Sequence, residues 1–308
     1  MVRFLLALCL VWSFSYANEF GEQDIDGDIF QEKASDENIS MEGSLLEEVE
    51  VKEDPFTAKI KSFLSEETYE KNRAFIDVIF DPKSAFYIND RVDAVKIAQT
   101  LKENGLLKLF FKSPQSFQLN FKTSGSPLFF VKIMGDTLRN IGYYRYVTTA
   151  SNLSSSEFTW SINLTSEYAT DPLILQQELK KSGCTIIDIE RNSKKEWTYV
   201  IDMLGGHLNI KALEADKEVK LKRSLYAHWL NVANIKKLRI VSSRRNSWYP
   251  YIAYYDASLH LVKLIKRDKI SRDITLKIPK NASYIKISDL YTLKNVRDEL
   301  TLKPTEAR

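Results

Sequence analysis

The sequence predicts an α+β region followed by an all-β region: repeated helix-strand-strand units on a sheet, then a C-terminal β-sandwich of jelly-roll type. Three observations predict it. The pattern Leu-basic-x-x-Gly occurs at 101–105, 138–142 and 179–183, each time after a helical stretch and before strand-like alternation. Beyond about residue 219, helical periodicity gives way to short apolar runs split by turn residues. Charge is also segregated, so a net charge of only +3 conceals regions of opposite sign. A length of 308 residues suits two globular units. The 44% apolar content is enough to fill real cores and excludes wholesale disorder.

Residues 1–17 read as an export signal. Arg3 is the positive start, residues 4–14 the apolar stretch and Ser15-Tyr16-Ala17 a small-x-small cleavage site. Eleven residues are too few for a spanning helix, which needs about 20. Leu8 stands where lipidation of Cys9 would need a small residue. Cleavage would leave Cys184 alone, as a small buried apolar residue after Gly183. The expected location is therefore the periplasm.

Residues 18–54 carry fourteen acids against Lys33 and Lys52, a net of −12, with few aromatics and no sustained periodicity. This composition predicts a disordered acidic tether. Asp24-x-Asp26-x-Asp28 lacks the glycine and the closing glutamate of a calcium loop, since Ile29 and Ser35 occupy those places. Asp36-Glu37-Asn38-Ile39-Ser40 resembles the acidic sequon used by bacterial oligosaccharyltransferase, which makes Asn38 a candidate for glycosylation.

Residues 55–218 should form the α+β domain. Phe56, Ile60, Phe63 and Leu64 make a helical apolar stripe, and a strand is expected at 75–80. Three helices follow, capped by Asn89 or Asp90, by Ser126-Pro127 and by Asp171-Pro172. Gly105, Gly142 and Gly183 suit the left-handed position that ends a helix. Strand pairs are expected at 106–111 and 117–121, at 143–148 and 158–164, and at 184–189 and 197–203. Phe117, Leu119 and Phe121 should share one face, as should Phe158, Trp160, Ile162 and Leu164, and Trp197, Tyr199 and Ile201. This arrangement resembles, in architecture alone, cell-envelope modules such as BON-like and ring-building domains; likeness of architecture carries no function.

Residues 219–308 hold twenty bases and seven acids, a net of +13. Strands are expected at 235–243, 249–256, 259–267, 272–278, 283–288 and 299–303. Ile274, Leu276, Ile278, Ile285 and Ile287 should point inward, leaving Tyr284, Lys286 and Ser288 outside. In the aromatic run 244–255, Trp248, Ile252 and Tyr254 share one strand face and Tyr249, Tyr251 and Tyr255 the other. If the tyrosines are exposed beside Arg244 and Arg245, they form a platform for sugar rings and anionic groups.

Sequence chemistry does not point to an enzyme. His207, His228 and His260 have no neighbour at metal-ligand spacing, and no nucleophile elbow, P-loop or dinucleotide fingerprint occurs. Asp188 and Glu190 share a strand face, as exposed carboxylates often do. No cofactor is expected. The leading expectation is an exported, non-catalytic adaptor or assembly protein of the cell envelope, making its protein contacts through the α+β domain. The alternative is a module binding an anionic glycan or lipid headgroup through Arg244, Arg245, Tyr249, Tyr251 and Tyr255; a hydrolase is the third. Export argues against nucleic acid as a partner, and the acidic tether could contact the basic domain of its own chain.

Overall fold

The computed structural model describes residues 53–307, which belong to one compact unit. The expected export signal, Asn38 and nearly all of the expected acidic tether lie outside the described residues. The tether's last two residues belong to the fold: Asp54 caps the first helix through the Phe56 N–H at 3.3 Å, and Glu53 pairs with Lys61 at 3.0 Å. The fold is mixed α/β with several antiparallel sheets, and the C-terminal part is mostly strands.

The chain opens with α1 (Pro55–Phe63), α2 (Glu66–Lys71) and α3 (Arg73–Ile79). α1 buries the expected stripe of Phe56, Ile60 and Phe63. The strand expected at 75–80 is instead α3. Ile76 and Phe80 are buried four residues apart, a spacing that fits both periods, but Val78 between them is exposed, as only the helix allows. A short hairpin follows, β1 (Tyr87–Ile88) and β2 (Arg91–Val92). Asn89 and Asp90, expected to cap a helix, form its turn with φ of 48° and 60°. Both residue types tolerate this left-handed region, so cap and turn signals overlap. The cap of α4 (Ala94–Glu103) is Asp93, which accepts from the Lys96 N–H at 3.0 Å.

A five-stranded sheet comes next, built from β3 (Phe110–Thr123), β4 (Val147–Leu153), β5 (Phe158–Tyr168), β6 (Thr185–Ser193) and β7 (Glu196–Asp202) in the order β4-β5-β3-β7-β6. α5 (Pro127–Asn140) and α6 (Pro172–Lys180) start at the expected Ser126 and Asp171. The β3–β7 pair is parallel and the other neighbours antiparallel. The runs at 106–111 and 117–121 are not two strands. Residues 110–123 form one strand whose register shifts between Phe110 and Gln115, where Pro114 cannot donate to the ladder. The aromatic face of β3, β5 and β7 is buried with the helices in one core. The other face is polar: Asn120 donates to Glu196 at 3.0 Å, and Thr198 donates to Asn192 at 2.8 Å.

The three Leu-basic-x-x-Gly patterns end their helices in one way. Gly105, Gly142 and Gly183 have φ of 75°, 101° and 68°. Leu101, Leu138 and Leu179 accept from the N–H five residues on, at Leu106, Tyr143 and Cys184, over 2.8 to 3.1 Å. The glycine N–H bonds the carbonyl three residues back each time. These paired bonds are the Schellman motif, in which the leucine and the residue after glycine pack together. They place Cys184 in the core, where its thiol donates to the Ser182 carbonyl at 3.5 Å and burial pushes its pKa to about 11. Cys184 should therefore resist a thiol reagent at pH 8 in the folded protein and react fully in denaturant. Rapid labelling of the native chain would contradict its burial.

Eight strands follow: β8 (Val219–Leu221), β9 (His228–Asn231), β10 (Ile235–Ser242), β11 (Pro250–Tyr255), β12 (Leu261–Lys266), β13 (Asp273–Lys277), β14 (Tyr284–Asp289) and β15 (Leu300–Ala307). They make two four-stranded sheets, β13-β10-β15-β8 and β12-β11-β14-β9. Both sheets contribute to a second core, including Leu238, Ile240, Ile274 and Leu302 from one and Ile252, Tyr254, Ile285 and Ile287 from the other. Trp248, Ile252 and Tyr254 are buried together as the alternation predicts. Tyr284 corrects the expectation. It is buried in the first core with Leu259, because the back of its sheet lies against the α+β region. Alternation assigns Tyr284 to the opposite face from Ile285 but cannot reveal that this face is covered too.

Candidate functional site

An apolar cleft lies where α4, α5, α6 and the end of β5 meet, with a volume of about 810 Å³. Local rules account for its walls. Gly142, past the end of α5, turns the chain so that Tyr143, Tyr144 and Arg145 line one side. Leu164, Thr165, Ser166 and Tyr168 of β5 line another, and Ile174 of α6 completes the rim. Phe110 and Tyr168 are cross-strand partners with ring centroids 5.1 Å apart. The rim is unusually exposed for large apolar side chains: Phe110 56%, Tyr168 55%, Tyr144 68% and Ile174 50%. Exposed apolar side chains gathered at a concave surface mark a binding site more often than a solvated face.

The polar groups of the cleft are held in fixed positions. Asp171 accepts from the Leu173 N–H at 2.9 Å, capping α6, and from the Lys102 ammonium at 2.6 Å. The Thr170 hydroxyl donates to the Tyr143 hydroxyl at 3.3 Å, and Tyr199 donates to the Thr170 carbonyl at 3.0 Å. Burial raises the pKa of Tyr143, so its phenol is neutral at physiological pH. Lys102 is neutralised by Asp171, which leaves Arg145, exposed in the wall, as the cation available to a ligand. A second cleft of about 840 Å³ shares Phe110 with the first and is lined by Lys71, Lys108, Arg191 and Lys194 against Glu67.

The residues singled out by sequence are placed differently. Arg244 and Arg245 are exposed in the turn between β10 and β11. Tyr249, Tyr251 and Tyr255 are half-buried and have separate neighbours. Tyr249 meets Tyr291 edge-on with centroids 5.1 Å apart, and the Lys266 ammonium lies 5.6 Å from the Tyr251 ring. Tyr255 packs on Trp229 at 5.0 Å and against the first core. Trp229 in turn lies under the ammonium groups of Lys132, at 5.1 Å, and Lys286, at 5.7 Å. The Tyr255 end of the row is thus part of the contact between the two cores, while Tyr249 and Tyr251 meet Tyr291 and Lys266 instead.

The side chains of two of the three histidines have local partners. His207 Nδ1 lies 3.2 Å from the Gly205 carbonyl, and His260 Nδ1 lies 3.2 Å from Asp256. Burial lowers the pKa of His228. Asp188 is paired with Lys59 at 2.7 Å. Among the described residues, no group of three or more His, Cys, Asp or Glu side chains is placed to hold a metal ion, and no helix is long and apolar enough to cross a membrane.

The aromatic rim was invisible to local pattern reading because Phe110, Tyr144, Tyr168 and Ile174 come from four different segments. The available signal was weak: large apolar residues at the ends of expected elements, where solvent-facing residues are the rule. Compared with known proteins, the chain matches no family model, no curated protein and no solved structure.

Proposed function

We propose that the protein is an exported, non-catalytic adaptor or assembly protein of the cell envelope that captures a partner protein in the apolar cleft at the end of β5. The observation that carries this reading is the cleft itself, about 810 Å³ and rimmed by Phe110, Tyr144, Tyr168 and Ile174. A periplasmic location rests on the signal-like sequence of residues 1–17. The two C-terminal sheets, sharing one core, are read as a jelly-roll-like β-sandwich that supports the α+β region through Trp229, Tyr255 and Tyr284. The common helix ends at Gly105, Gly142 and Gly183 support a repeated unit in that region.

A photo-crosslinking residue in place of Tyr144 tests this reading in cells. The expected result is a discrete protein adduct that Ile174→Asp abolishes; adducts with no protein partner would overturn it. A second reading, binding of anionic glycan or lipid headgroup, is favoured by the half-buried Tyr251 beside Lys266 and by the exposed Arg244 and Arg245. It predicts retention on heparin at low salt that Arg244→Ala/Arg245→Ala removes.

A further inference from the structure

We infer that the cleft takes an extended acidic peptide of a partner protein, added as a strand along residues 164–168 of β5. This inference rests on the protein-capture reading above and names the chemistry of the partner. Pairing between β4 and β5 ends at Val147↔Asn163, whereas β5 continues to Tyr168. On its other side β5 stays paired with β3, through Gln115↔Ser166 and Phe110↔Tyr168. The last residues of β5 thus form a sheet edge that β4 has left, and they line the cleft. The chain leading into β4, at Tyr143, Tyr144 and Arg145, has moved away to become the facing wall.

An open sheet edge is a template for another strand, because its backbone groups need hydrogen-bond partners. Sheets usually protect such edges with charge or proline. Here the edge itself, Leu164-Thr165-Ser166-Glu167-Tyr168, has no proline and a single charge, the exposed Glu167, and its Tyr168 N–H is bonded to Ser166 Oγ at 3.0 Å. Alternate side chains of an added strand would face the apolar rim, with Phe110 and Tyr168 on one side and Tyr144 and Ile174 on the other.

Charge determines which peptide fits. Arg145 stands in the wall, and the adjoining basic cleft begins at Phe110. In that cleft Lys71, Lys108, Arg191 and Lys194 outnumber Glu67, and the buried Nε of Arg191 has no hydrogen-bond partner. A peptide that leaves the edge at Tyr168 and turns over Phe110 therefore passes from an apolar surface to a basic one. Alternating acidic and apolar residues match both.

The test uses the full chain and a fluorescent peptide of about nine residues in which Glu alternates with Val or Phe, read by anisotropy. Two further peptides carry N-methyl groups on one or the other alternate set of amides. An added strand bonds through one edge only, so one methylated peptide should lose about tenfold in affinity and the other should keep it. A peptide with Lys for Glu should bind at least about tenfold more weakly, and Arg145→Glu should weaken the acidic peptide by a similar factor. Arg145 is exposed, so an unchanged melting temperature is the control for folding. If both methylated peptides bind like the parent, strand addition is overturned. If the lysine peptide binds as well, the acidic specificity is overturned. If no peptide binds while the crosslink at position 144 still captures a protein, this inference fails and the capture reading stands.

Discussion

Replacing Trp248 by alanine is expected to lower the stability of the chain by about 3–5 kcal/mol, the range for deleting a large buried aromatic side chain. Trp248 is fully buried in the second core, just before β11. Its indole N–H donates to the Ser288 carbonyl at 2.8 Å, and its own carbonyl accepts from the Ser271 N–H at 2.9 Å. Alanine would leave a cavity between sheets and remove the indole donor. Trp248→Phe should cost less, because it keeps most of the volume and loses chiefly the bond to Ser288, a loss of about 1–3 kcal/mol if that carbonyl stays buried. Urea denaturation of both variants measures the two contributions. A loss below about 1 kcal/mol for Trp248→Ala would show that the core closes around the gap.

Gly183→Ala should cost about 2–5 kcal/mol, combining left-handed strain with steric overlap. Its φ is 68°, and a Cβ there would lie 2.1 Å from the Gly205 carbonyl oxygen and 2.9 Å from His207 Nδ1. The obstacle is backbone and cannot rotate away, while His207 N–H is also bonded to the Ser182 carbonyl at 2.9 Å. Gly105→Ala is the control. Its φ is 75°, but a Cβ would meet nothing within 4 Å, so only the backbone strain of about 1–2 kcal/mol applies. Thermal melts of the two variants should differ clearly. Equal losses would mean that the segment at Gly205 yields.

This pair of glycines shows how far local sequence carries. The sequence alone identified both as helix ends, since a leucine, a basic residue and a glycine at this spacing make the same cap at 105, 142 and 183. It could not distinguish them, because the contact between residues 183 and 205 belongs to the tertiary structure. The same division holds where the fold departs from the sequence pattern. Ile76 and Phe80 fit two periods, and Asn89-Asp90 serves a turn as well as a cap, so local chemistry left each undecided. Alternation placed Ile285 and Ile287 inside correctly, yet could not show that Tyr284 is covered from the other side.

The candidate site divides in the same way. The run Tyr249, Tyr251 and Tyr255 attracted notice because its aromatics are adjacent in sequence, but packing assigned Tyr255 to the contact with the first core. The cleft formed from residues as far apart as Phe110 and Ile174, and its edge exists because β4 stops pairing with β5 at Asn163. By itself the sequence determined where charge lies, where helices stop and which strand faces are apolar. These follow from bonds and periodicities spanning only a few residues. Which faces are covered, which sheet edge stays open and which aromatics meet were decided by the tertiary structure, because each depends on a surface supplied by a distant part of the chain.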